Sequence, residues 1–251
     1  FVFAGNGDTS GPHVISTFEY YEQLVVAVTR AIHARREGIF EIDLRLRPYG
    51  SAGSLAVSLD SFRRYFAPQG PAWPYERQAL VKLRPIAGDQ ALGNEGGAFD
   101  VSAMRAMRER QMRHLVAAGT TNAKFSPGGL VDMEYLVQGL QICHGRRDPG
   151  LRLTNTSQAI EALARAGVLS PIDYQDLKAA QVFLRQLIDA LRMVRGNARD
   201  LTVPPQNTEE FAFLARRLGY GDDLGRLSQD LERHTLRVQQ LGGLLDISVG
   251  G

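Results

Sequence analysis

The sequence contains a single cysteine, Cys143, in 251 residues. No internal disulfide can form and a zinc site of four thiolates is excluded. The default home of such a chain is a reducing cytoplasm. Long apolar runs are missing as well: no stretch approaches the roughly 20 residues needed to cross a bilayer, and the first residues lack the charged and apolar regions of a secretory leader. A membrane is therefore not an expected partner. Nor is there an excess of charge of one sign. The formal net charge is +2, with ten Lys/Arg against ten Asp/Glu before Asp100 and nineteen against seventeen from there on. Neither part is a basic arm, and nucleic acid is not an expected partner. Gly-Lys-Ser/Thr loops and Gly-x-Ser-x-Gly elbows do not occur. The five histidines include no pair at metal-binding spacing: His33 and His114 have no partner four residues on, and His144 merely follows Cys143. There is no internal repeat and no low-complexity tract.

What is present divides in two. "FVFAGNGDTSG" opens as an apolar strand and dissolves into a turn-rich loop. A strand that starts at Phe1, with no initiator methionine, reads as the middle of a longer chain. Phe18, Tyr21, Val25, Val28 and Ile32 then recur at steps of three and four, the stripe of an amphipathic helix. Ser16 with Glu19 forms a capping box at its start, and Gly38 suits its end. At Phe40 the period changes to two. Phe40, Ile42, Leu44 and Leu46 point one way, while Glu41, Asp43, Arg45 and Arg47 point the other. Further strands are expected in "SLAVSL" (54–59) and "ERQALVKLRPIAGD" (76–89). From Asp100 onward the spacing is helical: Val101, Met104, Met107 and Leu115 mark one helix, Leu130, Met133, Val137 and Leu140 another. Ser170, Pro171 and Asp173 start a third through Leu177, Leu184, Leu187 and Leu191. Two more are expected near 209–218 and 224–242, after the turn "TVPPQNTEE". The pattern predicts an α+β fold: a mixed sheet with a long helix over 1–95, then an all-helical domain over 100–251.

Three segments carry candidate chemistry. A carboxylate fixed on a strand, Asp43, suits a divalent ion, since Mg²⁺ is usually held by one or two carboxylates together with substrate phosphates. Arg45, Arg47, Lys82 and Arg84 on neighbouring strand faces then suit phosphate oxygens. The same alternation also describes a solvated sheet face with Asp/Arg pairs of little energetic weight. In "KFSPGGLVDMEYLVQ" (124–138), Gly128 and Gly129 precede a helix carrying Asp132 and Glu134. That is either an anion-attracting helix start or a flexible turn with well-placed acids. The arginine run "RAMRERQMR" (105–113) fits a solvated helix face better than a nucleic-acid site, because Glu109 interrupts it and methionines lie beneath.

Together, "EIDLRLRPYGSAG" (41–53), "WPYERQALVKLRPIAGD" (73–89) and "AKFSPGGLVDMEYLVQ" (123–138) resemble, in order and spacing, the glutamine synthetase adenylyltransferases, which attach AMP to a tyrosine of glutamine synthetase and remove it. The similarity continues into "PPQNTEEFAFLARRLGY" (204–220). The resemblance implies a nucleotidyltransferase palm followed by a helical bundle, with ATP as substrate and Mg²⁺ as cofactor. It implies that Asp43 is the third of three metal carboxylates, the other two coming from an Asp-x-Asp pair preceded by Gly-Ser. In the family that pair stands immediately before a strand end like "FVF". A chain starting at Phe1 lacks it, so this segment alone is expected to be inactive.

The resemblance also implies glutamine synthetase, and a PII-type signalling protein, as partners. "GGLVDMEYLVQ" and "RLRPYGSAG" are closer to the half of such enzymes that adds AMP, whereas "YERQALVK" leans toward the half that removes it; the adding half is the expectation. The alternative is a noncatalytic regulatory module whose helices from Asp100 onward bind glutamine synthetase or a PII-type protein.

Overall fold

The computed structural model describes residues 1–33, 43–67, 69–83, 101–196 and 200–249. The chain divides into two compact units, Phe1–Ala98 and Phe99–Gly251. The fold is α+β: a small parallel sheet in the first unit, and helices throughout the second among the described residues. No described helix is long and apolar enough to cross a membrane.

In the first unit, strand β1 (Val2–Phe3) pairs in parallel with β2 (Val57–Ser58), Val2 opposite Val57 and Phe3 opposite Ser58. Parallel neighbours need a long crossover. It contains helix α1 (Thr17–His33). The expected cap is in place, with Ser16 Oγ accepting from the Glu19 amide at 3.1 Å. Of the apolar stripe, Val25 is fully buried with Phe3 and Ala56, and Tyr21 stacks on Phe3 with ring centroids 4.9 Å apart. Phe18 and Ile32 remain exposed. Glu22 of α1 reaches the strand layer, its Oε1 accepting from the Ala56 amide at 2.8 Å. A second small core joins Tyr65, Phe66, Ala72 and Leu80. Tyr65 and Phe66 end helix α2 (Leu59–Phe66), and Leu80 follows helix α3 (Pro74–Ala79).

Two expected strands are corrected. Residues 43–47 form no strand, and Phe40 to Ile42 lie outside the described residues. The chain there is bent back on itself: the Arg47 guanidinium donates to the carbonyls of Leu44, Ser51 and Gly53, and Pro48 has no N–H to offer a ladder. Residues 74–82 are helical, α3 running into a 3₁₀ turn at Leu80–Lys82. Pro74 at the first helical position and Glu76 two residues later are helix-start signals that outweigh the alternation of Ala79, Val81 and Leu83. Residues 84–90 lie outside the described residues. In "SLAVSL" only Val57 and Ser58 are strand, because Ser58 caps α2 by accepting from the Ser61 amide.

The second unit contains α4 (Val101–Leu115), α5 (Leu130–His144), α6 (Thr156–Arg165), α7 (Pro171–Arg195), α8 (Glu209–Arg217), α9 (Leu224–Leu241) and α10 (Leu244–Val249). Its core is one contiguous cluster. Helix α7 supplies the axis, with Leu177, Leu184, Leu187 and Leu191 completely buried; Met133, Leu136, Val137 and Leu140 of α5 and Ile160 and Leu163 of α6 close around it. Phe211 and Leu214 of α8 and Leu227, Val238 and Leu241 of α9 complete the cluster. Helix starts are capped by side chains: Asn155 before α6, Ser170 before α7, Thr208 before α8 and Asp223 before α9. Within the tail, Leu244–Val249 form α10, which no pattern in the sequence announced, and Leu245 joins the core.

Candidate functional site

The charged segment that begins at Asp43 is built by its own side chains. Arg45 lies over Asp43: Oδ1 accepts from the Arg45 amide at 2.9 Å and from Nε at 2.9 Å, and Oδ2 accepts from Nη2 at 2.6 Å. The guanidinium hydrogen bonds, then the backbone amide, hold the Asp43 carboxyl at a pKa of about 2. Both side chains are open to water, 55% and 83% exposed. An ion pair so placed adds little to stability.

Arg47 is committed differently. Its three carbonyl contacts knit the turn from Leu44 to Gly53 into a rigid loop. Within that loop Tyr49 has φ 63°, the only positive φ of a non-glycine residue among those described. A Cβ on Gly53 would stand 1.8 Å from the Pro48 carbonyl oxygen, so the loop closes only with glycine there. Arg47 therefore shapes the loop and does not present a free cation. Lys82 is half-buried at the end of the 3₁₀ turn, and Arg84 lies outside the described residues.

A divalent ion needs more than Asp43 supplies. Both carboxylate oxygens are engaged by Arg45, and no group of three or more His, Cys, Asp or Glu suited to a metal converges among the described residues. These residues alone do not fit a Mg²⁺ clamp.

The glycine-rich turn before α5 belongs to the second unit and is closed to anions. Each amide around the helix start is already used: Gly128 N donates to Asp132 Oδ2 at 2.7 Å, Gly129 N to the Ser126 carbonyl, Leu130 N to that of Ala123 and Val131 N to that of Lys124. Asp132 also receives Arg108 Nε, and Arg108 Nη2 donates to the Phe125 and Ser126 carbonyls. Gly128, at φ 73°, packs against α9 so closely that a Cβ would lie 2.0 Å from the Thr235 carbonyl oxygen. "SPGGLVD" is thus a packing clamp. Sequence reasoning missed Arg108 and Asp132 as a pair; the signal was there in an arginine inside a helix otherwise read as solvated. Cys143 of α5 is half-buried, and that burial raises its thiol pKa.

The first unit is then an α+β scaffold presenting an acid–arginine segment on a braced loop, and the second is an all-helical unit with its own core. Residues 1–98 match the family model described as glutamate-ammonia ligase adenylyltransferase, and residues 102–245 match that described as GlnD PII-uridylyltransferase. The chain belongs to the glutamine synthetase adenylyltransferase family. Its relatives include the bifunctional glutamine synthetase adenylyltransferase/adenylyl-removing enzymes of Aromatoleum aromaticum, 33% identical over 88% of this chain and 25% of that protein, and of Stenotrophomonas maltophilia strain R551-3, 31% identical over 96% and 26%. That of Mycolicibacterium smegmatis is 33% identical over 82% of this chain and 22% of its own length. The chain spans about a quarter of the length of these relatives.

Proposed function

We propose that the chain is a segment of one catalytic half of an enzyme that transfers AMP from ATP to a tyrosine of glutamine synthetase. In that reaction the tyrosine oxygen bonds to the α-phosphorus, the bond to the β-phosphate breaks, and pyrophosphate and a proton leave. The observation that carries this reading is the two consecutive family matches, which together run from residue 1 to residue 245 and meet where the two units divide. On this reading residues 1–95 belong to a nucleotidyltransferase palm and residues 100–251 to a helical bundle, in a cytoplasmic enzyme.

Asp43 is one acidic residue of the transfer centre, ionised at any physiological pH. The family resemblance implies Mg²⁺, which would neutralise charge on the phosphates, but Asp43 alone does not make a site for it. Arg45, held over Asp43 by a surface pair, swings to a phosphate oxygen when nucleotide arrives and leaves the carboxylate open. Lys82 and Arg84 add positive charge to the phosphate side. Arg47 serves the same site by holding its loop.

The half concerned is the adding one. In the full native protein, Asp43→Asn is expected to abolish labelling of glutamine synthetase by α-labelled ATP and to leave phosphate-dependent release of ADP from the adenylylated form intact. Retained labelling with loss of that release would assign the chain to the removing half instead. A second reading is favoured by the separate core of the helical unit and its own family match: residues 100–251 serve as a noncatalytic module that binds glutamine synthetase or a PII-type protein. Binding by residues 100–251 with no transfer by the full protein would support it.

A further inference from the structure

Glu76 is a buried carboxylate, 8% exposed, at the start of α3, and hydrogen-bond donors meet both of its oxygens. Tyr65 Oη donates to its two oxygens at 3.2 and 3.1 Å, and the Trp73 amide donates to Oε2 at 2.8 Å. Tyr65 is itself 5% exposed. On its other side it meets the loop of the charged segment: the Tyr49 ring stands edge-on to it with centroids 4.8 Å apart. Tyr49 is the residue in the left-handed conformation, which costs a side-chain-bearing residue about 1–2 kcal/mol. Such a conformation persists only where its surroundings over-determine it. Here they do so twice, through Arg47 from within the loop and through Tyr65 from beneath it.

We propose that Tyr65 and Glu76 are positioning residues for the nucleotidyl-transfer site: the buried Glu76–Tyr65 hydrogen bond holds Tyr49, and through it the Arg47 loop, in the geometry that presents Asp43 and Arg45. This rests on the function proposed above. It also gives a physical reason for "EIDLRLRPYGSAG" and "WPYERQALVK" to occur together, since the acid of the second segment anchors the turn of the first. Glu76 then acts through Tyr65 and touches neither nucleotide nor ion.

The test uses the full native protein with Tyr65→Phe, which keeps the ring and removes the hydroxyl, and Glu76→Gln, which keeps the shape and removes the charge. Two readouts are taken together: hydrogen–deuterium exchange across 47–53, and kcat and KM for ATP in AMP transfer. Both variants are expected to exchange about tenfold faster over 47–53 with α5–α7 unchanged, and to lose about tenfold or more in kcat with a smaller change in KM. Unchanged exchange over 47–53, faster exchange throughout the chain, or local loosening with unaltered kcat would each overturn the proposal. If the wild-type protein turns over no AMP in either direction, the functional reading fails, while the exchange experiment still decides whether Tyr65 and Glu76 hold the loop.

Discussion

The two units are stabilised by different means. The helical unit has one continuous apolar core running through α5, α6, α7, α8 and α9. The first unit has two small cores of three and four buried residues, and its loops are held by side chains bonded to backbone: Arg47 to three carbonyls, Arg77 to those of Phe66, Ala67 and Gly70, and Glu22 to the Ala56 amide. Apolar burial is non-directional and tolerant, whereas a polar brace is geometric and local. A unit of the first kind makes a scaffold. A unit of the second kind sets the exact shape of a charged loop.

The largest expected effect follows from this contrast. Leu184→Ala, at a completely buried position on α7, should cost the helical unit about 2–5 kcal/mol, read by thermal or urea unfolding; a loss under 1 kcal/mol would mean that the core is not organised about α7. Next comes Gly128→Ala. The added carbon must displace the Thr235 carbonyl, at about 1–3 kcal/mol for overpacking, and a neutral variant would show that α9 does not press on the clamp turn. Ser170→Ala removes the acceptor for the Asp173 amide and should cost about 1 kcal/mol.

At the bottom of the scale stands the Asp43–Arg45 pair. The Asp43 pKa is depressed to about 2, so its contribution is present above the unfolded value of about 3.9 and is lost as pH falls through about 2. Because the pair is exposed, that contribution is small. Unfolding followed from pH 4.5 down to pH 2 should show only a small loss that disappears on mutating Asp43, and a large one would mean that the carboxylate is far less open to water than the structure shows.

The same contrast explains what could be read from the sequence. Leu177, Leu184, Leu187 and Leu191 announce α7 because periodic burial leaves a periodic trace, and the Ser170–Pro171 start repeats the message locally. The short helices α2 and α3 and the terminal α10 carry too few turns to leave such a trace. In the first unit the alternation Leu44, Leu46 against Asp43, Arg45, Arg47 looked like a strand, but the partner of each charged group is fixed by tertiary geometry. Nothing in the spacing says that Arg47 turns back on Gly53 while Arg45 folds over Asp43. Tyr65 lies outside all the quoted segments, and its bond to Glu76 joins residues eleven apart in sequence through a buried contact, which periodicity does not report. The glycines of "SPGG" were legible as special; that they serve packing and not anion binding depended on Arg108 and Thr235, both distant in the chain.

The measurement that bears most directly on the proposed function is AMP transfer to glutamine synthetase by the full native protein carrying Asp43→Asn, with circular dichroism as the control for folding. Transfer should fall to background while the spectrum and unfolding midpoint stay as in the wild type, since the residue is exposed and its pair contributes little to stability. Turnover retained at the wild-type level would contradict the account, and would leave the Asp43–Arg45 segment as a solvated surface pair.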